Sequence, residues 1–152
     1  MTQEAENTSI HSMAAEIFNL STLAWRERLR ARRGADGELS EAQFLTLETL
    51  MQGPGILTVG DILRSICVAP AQMSRIIRGL EEDFAEPLIA CELNRNDRRK
   101  IDVSMTDAGR KLYAEFRDSR LARTIEILSG LPETDRQDFV RVCGKIRQLY
   151  SR

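Results

Sequence analysis

The stretch Asn94–Gly109 reads NRNDRRKIDVSMTDAG and decides the fold of the chain. Its first half carries four cationic side chains within six residues, namely Arg95, Arg98, Arg99 and Lys100. Its second half alternates between polar and apolar residues as far as Met105, which is the two-residue period of a half-buried strand. Thr106 is suited to cap a helix, with Asp107 in the first turn. The stretch predicts a basic loop between two short strands, with a helix starting at its base.

The basic loop also has a plainer interpretation, because runs of charge are usually solvated faces. On that interpretation it is an exposed hairpin whose arginines only keep the chain in solution. The loop alone leaves both interpretations open, and the elements that precede it favour the first.

Two helices with a short turn between them are predicted before the loop. Ser40 with Gln43, and Thr58 with Asp61, have the spacing of capping boxes that start helices. The second start opens a helix of about two turns, and after a turn at residues 67–69 Pro70 takes a favoured first-turn position. The helix that follows has an apolar stripe made of Met73, Ile76, Ile77, Leu80 and Phe84. This arrangement is typical of a helix-turn-helix.

The opposite face of the second helix is predicted to be exposed and to suit DNA. It carries Gln72, Arg75 and Arg78. Small residues at its leading end, Ala71 and Ser74, would let the backbone come close to a duplex, and a helix N-terminus favours phosphate.

Long amphipathic helices flank this central part. Apolar residues with helical spacing run from Ile10 to Leu29 in a helix predicted to extend toward Arg33, and two further long helices follow the basic loop. A monomer would leave their apolar faces exposed, so a two-fold homodimer is predicted. We predict a single domain over residues 1–152, with 39–109 as the DNA-binding part and 8–33 plus 110–150 as the dimerisation helices.

Composition excludes several classes of protein. With 152 residues, 42% hydrophobic and 30% charged, the chain is expected to be globular. No apolar run is long enough for a bilayer, and the polar segment Thr2–Ser9 is not typical of a signal peptide. One histidine and three scattered cysteines predict no metal site, no cofactor and no enzyme activity. We therefore expect a reduced cytoplasmic protein without a membrane partner. Because the net charge is −1, nucleic-acid binding would depend on local charge.

Two motifs resemble the MarR family of winged-helix transcription regulators. The segment TVGDILRSICVAPAQMSRIIRGLE, residues 58–81, looks like that family's helix-turn-helix. Asp97-Arg98-Arg99, followed by Thr106-Asp107-Ala108-Gly109, looks like its wing signature, Asp-x-Arg and then Leu-Thr-x-x-Gly. A helix-turn-helix match alone is weak, whereas the two motifs at this separation are a strong pair.

The resemblance implies a dimeric repressor that binds a palindromic operator in double-stranded DNA. In the family the recognition helix enters the major groove, and the wing arginine reaches the adjacent minor groove. Arg99 would be that arginine, with Asp97 orienting it through an ion pair. The residues expected at the DNA are Ala71, Gln72, Ser74, Arg75, Arg78, Arg95, Asp97, Arg98 and Arg99. A winged-helix module that binds another protein instead of DNA is the alternative.

The chain departs from the family pattern at three places, one of which is Cys91 on the predicted wing strand, where the family frequently has an arginine. Cys67 stands where the family commonly has the turn glycine, so a left-handed backbone is not favoured there and an altered turn is expected. Residues 83–87 replace a shorter link, which is expected to shift the wing relative to the recognition helix.

The resemblance also implies a releasing signal. Family members commonly release DNA when a small aromatic ligand enters a cleft, and others sense oxidants through cysteine. The candidates for such a cleft are Phe18, Trp25, Phe44, Met51, Tyr113 and Phe116, although helical aromatic residues are more often plain core. The redox candidates are Cys67 and Cys91, and Cys143 lies on an apolar stripe. No motif identifies the ligand.

Overall fold

The computed structural model describes residues 2–31 and 39–150. These residues form, in order, α1 (Thr2–Ala31), α2 (Glu41–Gln52), β1 (Ile56–Thr58), α3 (Val59–Ile66), α4 (Pro70–Glu82), β2 (Ile89–Leu93), β3 (Ile101–Met105), α5 (Asp107–Ser129) and α6 (Glu133–Tyr150). The predicted fold class, mainly α with a small β-wing, is confirmed. The chain divides into two units, Met1–Glu38 and Leu39–Arg152. The roles predicted for residues 8–33, 39–109 and 110–150 stay predictions.

The first unit contains α1, which starts earlier than predicted. The helix begins at Thr2, so the polar stretch Thr2–Ser9 is part of the helix. Seven large apolar side chains that the structure describes in α1 are exposed, and they are Ile10, Met13, Ile17, Phe18, Leu20, Leu23 and Trp25. The predicted end of the helix at residues 34–37 lies outside the described residues.

Both predicted capping boxes are confirmed in the second unit. The hydroxyl oxygen of Ser40 accepts from the backbone N–H of Gln43 at 3.2 Å, and the Gln43 side chain accepts from the Ser40 N–H at 2.8 Å. Thr58 and Asp61 repeat the pattern at 3.2 and 3.1 Å. Because these contacts are local in sequence, spacing alone was enough to predict where α2 and α3 begin.

The sheet has three antiparallel strands in the order β1-β3-β2. The predicted hairpin is present, with Cys91 of β2 opposite Val103 of β3. β1 was not predicted. It is three residues long, too short to show an alternating pattern, and it pairs with a strand far along the chain, Leu57 lying opposite Val103. We call β2, β3 and the loop Asn94–Lys100 between them the wing.

One core is shared by α2, α3, α4, the sheet and the first half of α5. Its buried residues are Leu39, Leu47, Leu50, Ile62, Met73, Ile76, Leu80, Leu88, Ile89, Val103, Met105, Tyr113 and Phe116. Met73, Ile76 and Leu80 of the stripe predicted for the second helix of the helix-turn-helix form the buried side of α4. Ile77 is partly buried, and Phe84 lies beyond the end of α4 at Glu82. By contrast, α6 has no buried residue. No described helix has the length and apolar character needed to cross a membrane.

Three hydrogen bonds tie α4, β2 and α5 together around Leu88. The Leu88 N–H donates to the carbonyl oxygen of Leu80 in α4 at 2.8 Å. Thr106, which caps α5, donates its N–H to the Leu88 carbonyl at 3.1 Å and its hydroxyl to the Pro87 carbonyl at 2.7 Å. The link at residues 83–87 therefore ends in a joint that is fixed to both helices.

Gly109 allows the close approach of α5 to Leu88 at this joint. A Cβ atom on Gly109 would overlap the carbonyl oxygen of Leu88 and would lie 2.9 Å from Cγ of Met105. Only glycine lets the first turn of α5 approach the start of β2 so closely. This is the physical reason for the glycine at the end of the Thr-x-x-Gly motif.

Candidate nucleic-acid interface

The turn between α3 and α4 keeps a left-handed residue although that residue is cysteine. Cys67 has φ 54° and ψ 45°, and its N–H donates to the carbonyl oxygen of Leu63 at 3.1 Å. The expectation of an altered turn at this position was wrong. The left-handed conformation costs an L-residue about 1–2 kcal/mol. It also closes the C-terminus of α3 by satisfying one of its last carbonyls, and the surrounding fold sustains it.

The leading half of α4 presents the side chains predicted for DNA. Ala71, Gln72, Ser74, Arg75 and Arg78 are all exposed, while Met73 and Ile76 between them are buried. The start of the helix has Pro70 at its first position, and Ala69 supplies no side-chain cap.

Two of these exposed residues differ in what they can offer to a base or a phosphate. The hydroxyl of Ser74 donates back to the carbonyl oxygen of Pro70 at 3.2 Å, so its proton is already used within the helix. No described residue hydrogen-bonds the side chain of Gln72, which makes Gln72 the better reader of a base edge.

The wing carries its cations on the loop between β2 and β3. Arg95, Arg98 and Arg99 are exposed, and the side chain of Arg99 is 92% accessible. The Nε of Arg99 lies 3.1 Å from the Oδ1 atom of Asp97, so the expected ion pair is present. Hydrogen bonds from the side chain and backbone of Arg99 hold the pKa of Asp97 below its usual value. Asp97 is thus ionised at neutral pH and can orient the arginine.

Asn94 is a wing residue that the sequence analysis did not single out. Its side-chain oxygen accepts from the N–H groups of Asn96 and Asp97, and its amide nitrogen donates to Asp102. Asparagine side chains commonly accept a hydrogen bond from the backbone N–H two residues further along a turn, so the residue type after β2 is a local signal for this contact.

Three of the residues predicted to line a ligand cleft form an aromatic cluster in the second unit. Phe44 stacks on Tyr113 with ring centroids 5.5 Å apart and meets Phe116 at 5.0 Å. Tyr113 and Phe116 are both 8% exposed and belong to the core, which agrees with the plainer interpretation. Met51 is exposed and takes no part in these ring contacts. Phe18 and Trp25 are exposed residues of α1, in the other unit.

Two polar groups border this aromatic cluster. The Tyr113 hydroxyl donates to Glu48, and burial together with that carboxylate raises the pKa of Tyr113 to about 12. The guanidinium of Arg120 lies over the Phe116 ring, 4.6 Å from its centroid. Its Nη1 atom is buried and has no hydrogen-bond partner among the described residues. The cluster therefore has a cation on the face of the Phe116 ring.

The cysteines differ in their surroundings. Cys67 is exposed, whereas Cys91 and Cys143 are partly buried, and all three are free thiols. Burial, followed by a hydrogen bond to Glu81 and its negative charge, raises the pKa of Cys91 to about 12. Because the thiolate is the form that oxidants attack, these surroundings argue against Cys91 as a sensor. Among residues 2–31 and 39–150 no group of His, Cys, Asp and Glu side chains could hold a metal ion.

No protein-family model matches the chain. Over 110 residues the chain is 31% identical to the HTH-type transcriptional repressor MdtR of Bacillus subtilis strain 168. The matched region covers 72% of this chain and 68% of that repressor. The fold of this chain is similar to the YusO protein from Bacillus subtilis, with TM-score 0.66, 25% identity and coverage of 93% and 96%. It is also similar to a MarR family protein from Bacillus stearothermophilus, with TM-score 0.72, 19% identity and coverage of 98% of each chain.

Proposed function

The chain belongs to the MarR family of winged helix-turn-helix transcriptional regulators, and from this premise we propose that it is a homodimeric repressor of a palindromic operator. The family consists of DNA-binding regulators and not of enzymes. The observation that carries the proposal is the pairing, within one unit, of an exposed polar face on α4 with an exposed arginine-rich wing. Because the operator lies with the chromosome, the proposal includes a cytoplasmic location.

In this proposal α4 reads the major groove. Gln72 and Arg75 are the long polar side chains on its exposed leading half, and such groups pair in bidentate fashion with adenine and guanine edges. Ala71 and Ser74 supply short contacts that allow a close approach. Arg78, one turn further on, contacts phosphate.

The wing supplies the second contact. Arg99 enters the adjacent minor groove, where the negative potential favours a guanidinium even without base reading. Asp97 keeps the orientation of the Arg99 side chain, and Arg95 and Arg98 contact the flanking phosphates. The three arginines account for a basic surface on a chain whose net charge is −1.

Dimerisation is supported by apolar faces that the single chain leaves open. In α1, Ile17 is 53% exposed, and in α6, Phe139 is 46% and Leu149 is 65% exposed. Apolar surface on this scale is typical of an interface. In a two-fold dimer each copy offers one recognition helix to successive major grooves of a palindrome.

Repression and its release are the finer parts of the proposal. Repression is supported by the relative at 31% identity, which is a transcriptional repressor. For release we favour a small aromatic effector over oxidation, because burial and the charge of Glu81 keep the Cys91 thiol protonated. Phe44 is the partly buried member of the aromatic cluster, and the Nη1 atom of Arg120 beside that cluster suits an effector that carries a carboxylate. Cys67 remains the thiol that an oxidant could reach.

Selection from random duplex DNA tests the proposal. The selected sites should be palindromes, and their affinity should fall steeply with salt, with a logarithmic slope of about −0.9 for each phosphate contacted. Gln72→Ala should relax selection at one position of each half-site. Failure to bind any duplex, or binding that ignores salt, would favour the protein-interaction alternative. A panel of aromatic carboxylates added to the operator complex then tests release, with Arg120→Gln as the variant that should resist it.

A further inference from the structure

Asn94 joins the two strands of the wing to the turn at its tip. Its Nδ2 atom lies 2.9 and 3.0 Å from the two carboxylate oxygens of Asp102 on β3. Its Oδ1 atom accepts from the backbone N–H groups of Asn96 and Asp97 at 3.0 and 2.9 Å. A single side chain therefore links a carboxylate on the sheet to two amides in the loop.

The network continues from the loop to Arg99. Asp97, whose N–H is held by Asn94, accepts from both the backbone and the side chain of Arg99 at 3.1 Å. Arg99 has almost no packing contact, since its side chain is 92% accessible. Its orientation therefore depends on Asp97, and the position of Asp97 depends on Asn94.

Asp102 occupies a position where electrostatics alone would not favour an acid. It lies directly opposite Glu92 on β2, and like charges opposite each other destabilise a strand pair. It also adds negative charge to a surface that must approach phosphates. A residue that breaks two local rules is expected to have a compensating role. The hydrogen bonds to Asn94 are the contacts it makes that could supply one.

We propose that Asn94 and Asp102 are positioning residues for DNA binding. Through Asp97 they hold the wing loop in the conformation that directs Arg99 at the minor groove, so that little conformational entropy is lost on binding. The inference rests on the proposed function, because it assigns Arg99 to the DNA. It adds that an acid on the wing strengthens binding to a polyanion.

Two pairs of matched variants separate positioning from charge. Asn94→Ala changes no charge, and its control is Asn96→Ala in the same loop. Asp102→Ala removes one negative charge, and its control Glu92→Ala removes the same charge from the directly opposite position. Operator affinity is measured for all four by fluorescence anisotropy at several salt concentrations. Amide hydrogen exchange of Asn96 and Asp97 is measured in the DNA-free full chain.

Positioning predicts losses that charge cannot explain. Asn94→Ala and Asp102→Ala should each weaken operator binding about tenfold, as expected for losing hydrogen bonds to a charged group. In Asn94→Ala the amides of Asn96 and Asp97 should also exchange faster. Glu92→Ala should bind as tightly as the wild type or more tightly. Asn96→Ala should bind as tightly as the wild type.

The opposite results would overturn the inference. If Asp102→Ala binds more tightly, as Glu92→Ala does, then Asp102 acts only through its charge. Unchanged affinity in Asn94→Ala would equally remove Asn94 from the binding machinery. If the wild type binds no duplex, the proposed function fails together with this positioning role. Amide exchange would then still decide whether the two side chains order the loop.

Discussion

At the scale of single residues, two backbone positions govern how the DNA-binding elements are placed. Cys67 holds a left-handed conformation in the turn before α4, and Gly109 allows α5 to touch Leu88. Sequence reasoning identified the glycine through its motif and misjudged the cysteine. Propensity describes what a residue favours in isolation, whereas the turn around Cys67 is imposed by packing on both of its sides.

Replacing Cys67 with glycine should stabilise the fold. Relief of the left-handed conformation contributes about 1–2 kcal/mol, and the greater freedom of glycine in the unfolded chain offsets about 0.4–1 kcal/mol of it. We expect the free energy of unfolding to rise by about 0.5–1 kcal/mol in urea titrations. Cys67→Ala keeps the Cβ atom and should change stability by less. A glycine variant that is less stable than the alanine variant by about 0.4–1 kcal/mol would mean that the turn carries no strain.

Replacing Gly109 with alanine should destabilise the fold, because the new methyl group would overlap the carbonyl oxygen of Leu88. Overpacking against backbone that cannot move easily costs about 1–3 kcal/mol. Gly60→Ala in α3 is the matched control, since its Cβ would lie 3.6 Å from the nearest atom, on Arg64. The control should be neutral or more stable by up to about 1 kcal/mol. A Gly109→Ala protein as stable as this control would contradict the close joint.

At the scale of elements, local signals predicted more than long-range ones. The capping boxes at Ser40 and Thr58, and the cap at Thr106, were all readable because each involves residues three positions apart. β1 was missed since its partner Asp102–Ser104 lies more than forty residues away in sequence. The aromatic residues of the second unit could be assigned to helices, but only packing shows that Tyr113 and Phe116 are core.

The wing as an element should account for a defined share of operator affinity. Arg99→Ala is expected to weaken specific binding by about 1–3 kcal/mol per half-site. It should also lower the salt slope by about 0.9 for each phosphate that the variant no longer neutralises. Anisotropy titrations across a salt series measure both quantities. Arg136→Ala, which removes the same charge from α6, should leave them unchanged, and equal losses in the two variants would point to net charge.

At the scale of the whole molecule, the first and last described helices expose apolar surface. The apolar side chains of α1 and α6 are exposed, and α6 buries none of its residues within the chain. Periodicity predicted these faces correctly, but periodicity cannot tell which surface covers another. A second copy is the proposed cover for each face, because a two-fold interface buries the same surface in both copies.

A charge on these faces should separate the copies. Ile17→Asp and Ile146→Asp each place an unpaired carboxylate where the proposed interface is apolar, which costs several kcal/mol when buried. Light scattering should show monomers, with palindrome binding lost before helix content falls. Gln148→Asp, on the opposite side of α6 from Ile146, should remain dimeric. Dimers in both isoleucine variants would require a different interface.

The joint at Leu88 has a consequence for how the proposed regulator would respond to a signal. Because hydrogen bonds fix Leu88 to α4 and to the start of α5, the two helices are expected to move together. A signal that tilts α5 would carry the whole recognition helix with it and leave its base-reading side chains intact. Release would then be a change in the distance between the two recognition helices, so that the dimer no longer spans half-sites about 34 Å apart. Operators with altered spacing, and not altered bases, should recover binding to the signal-bound form.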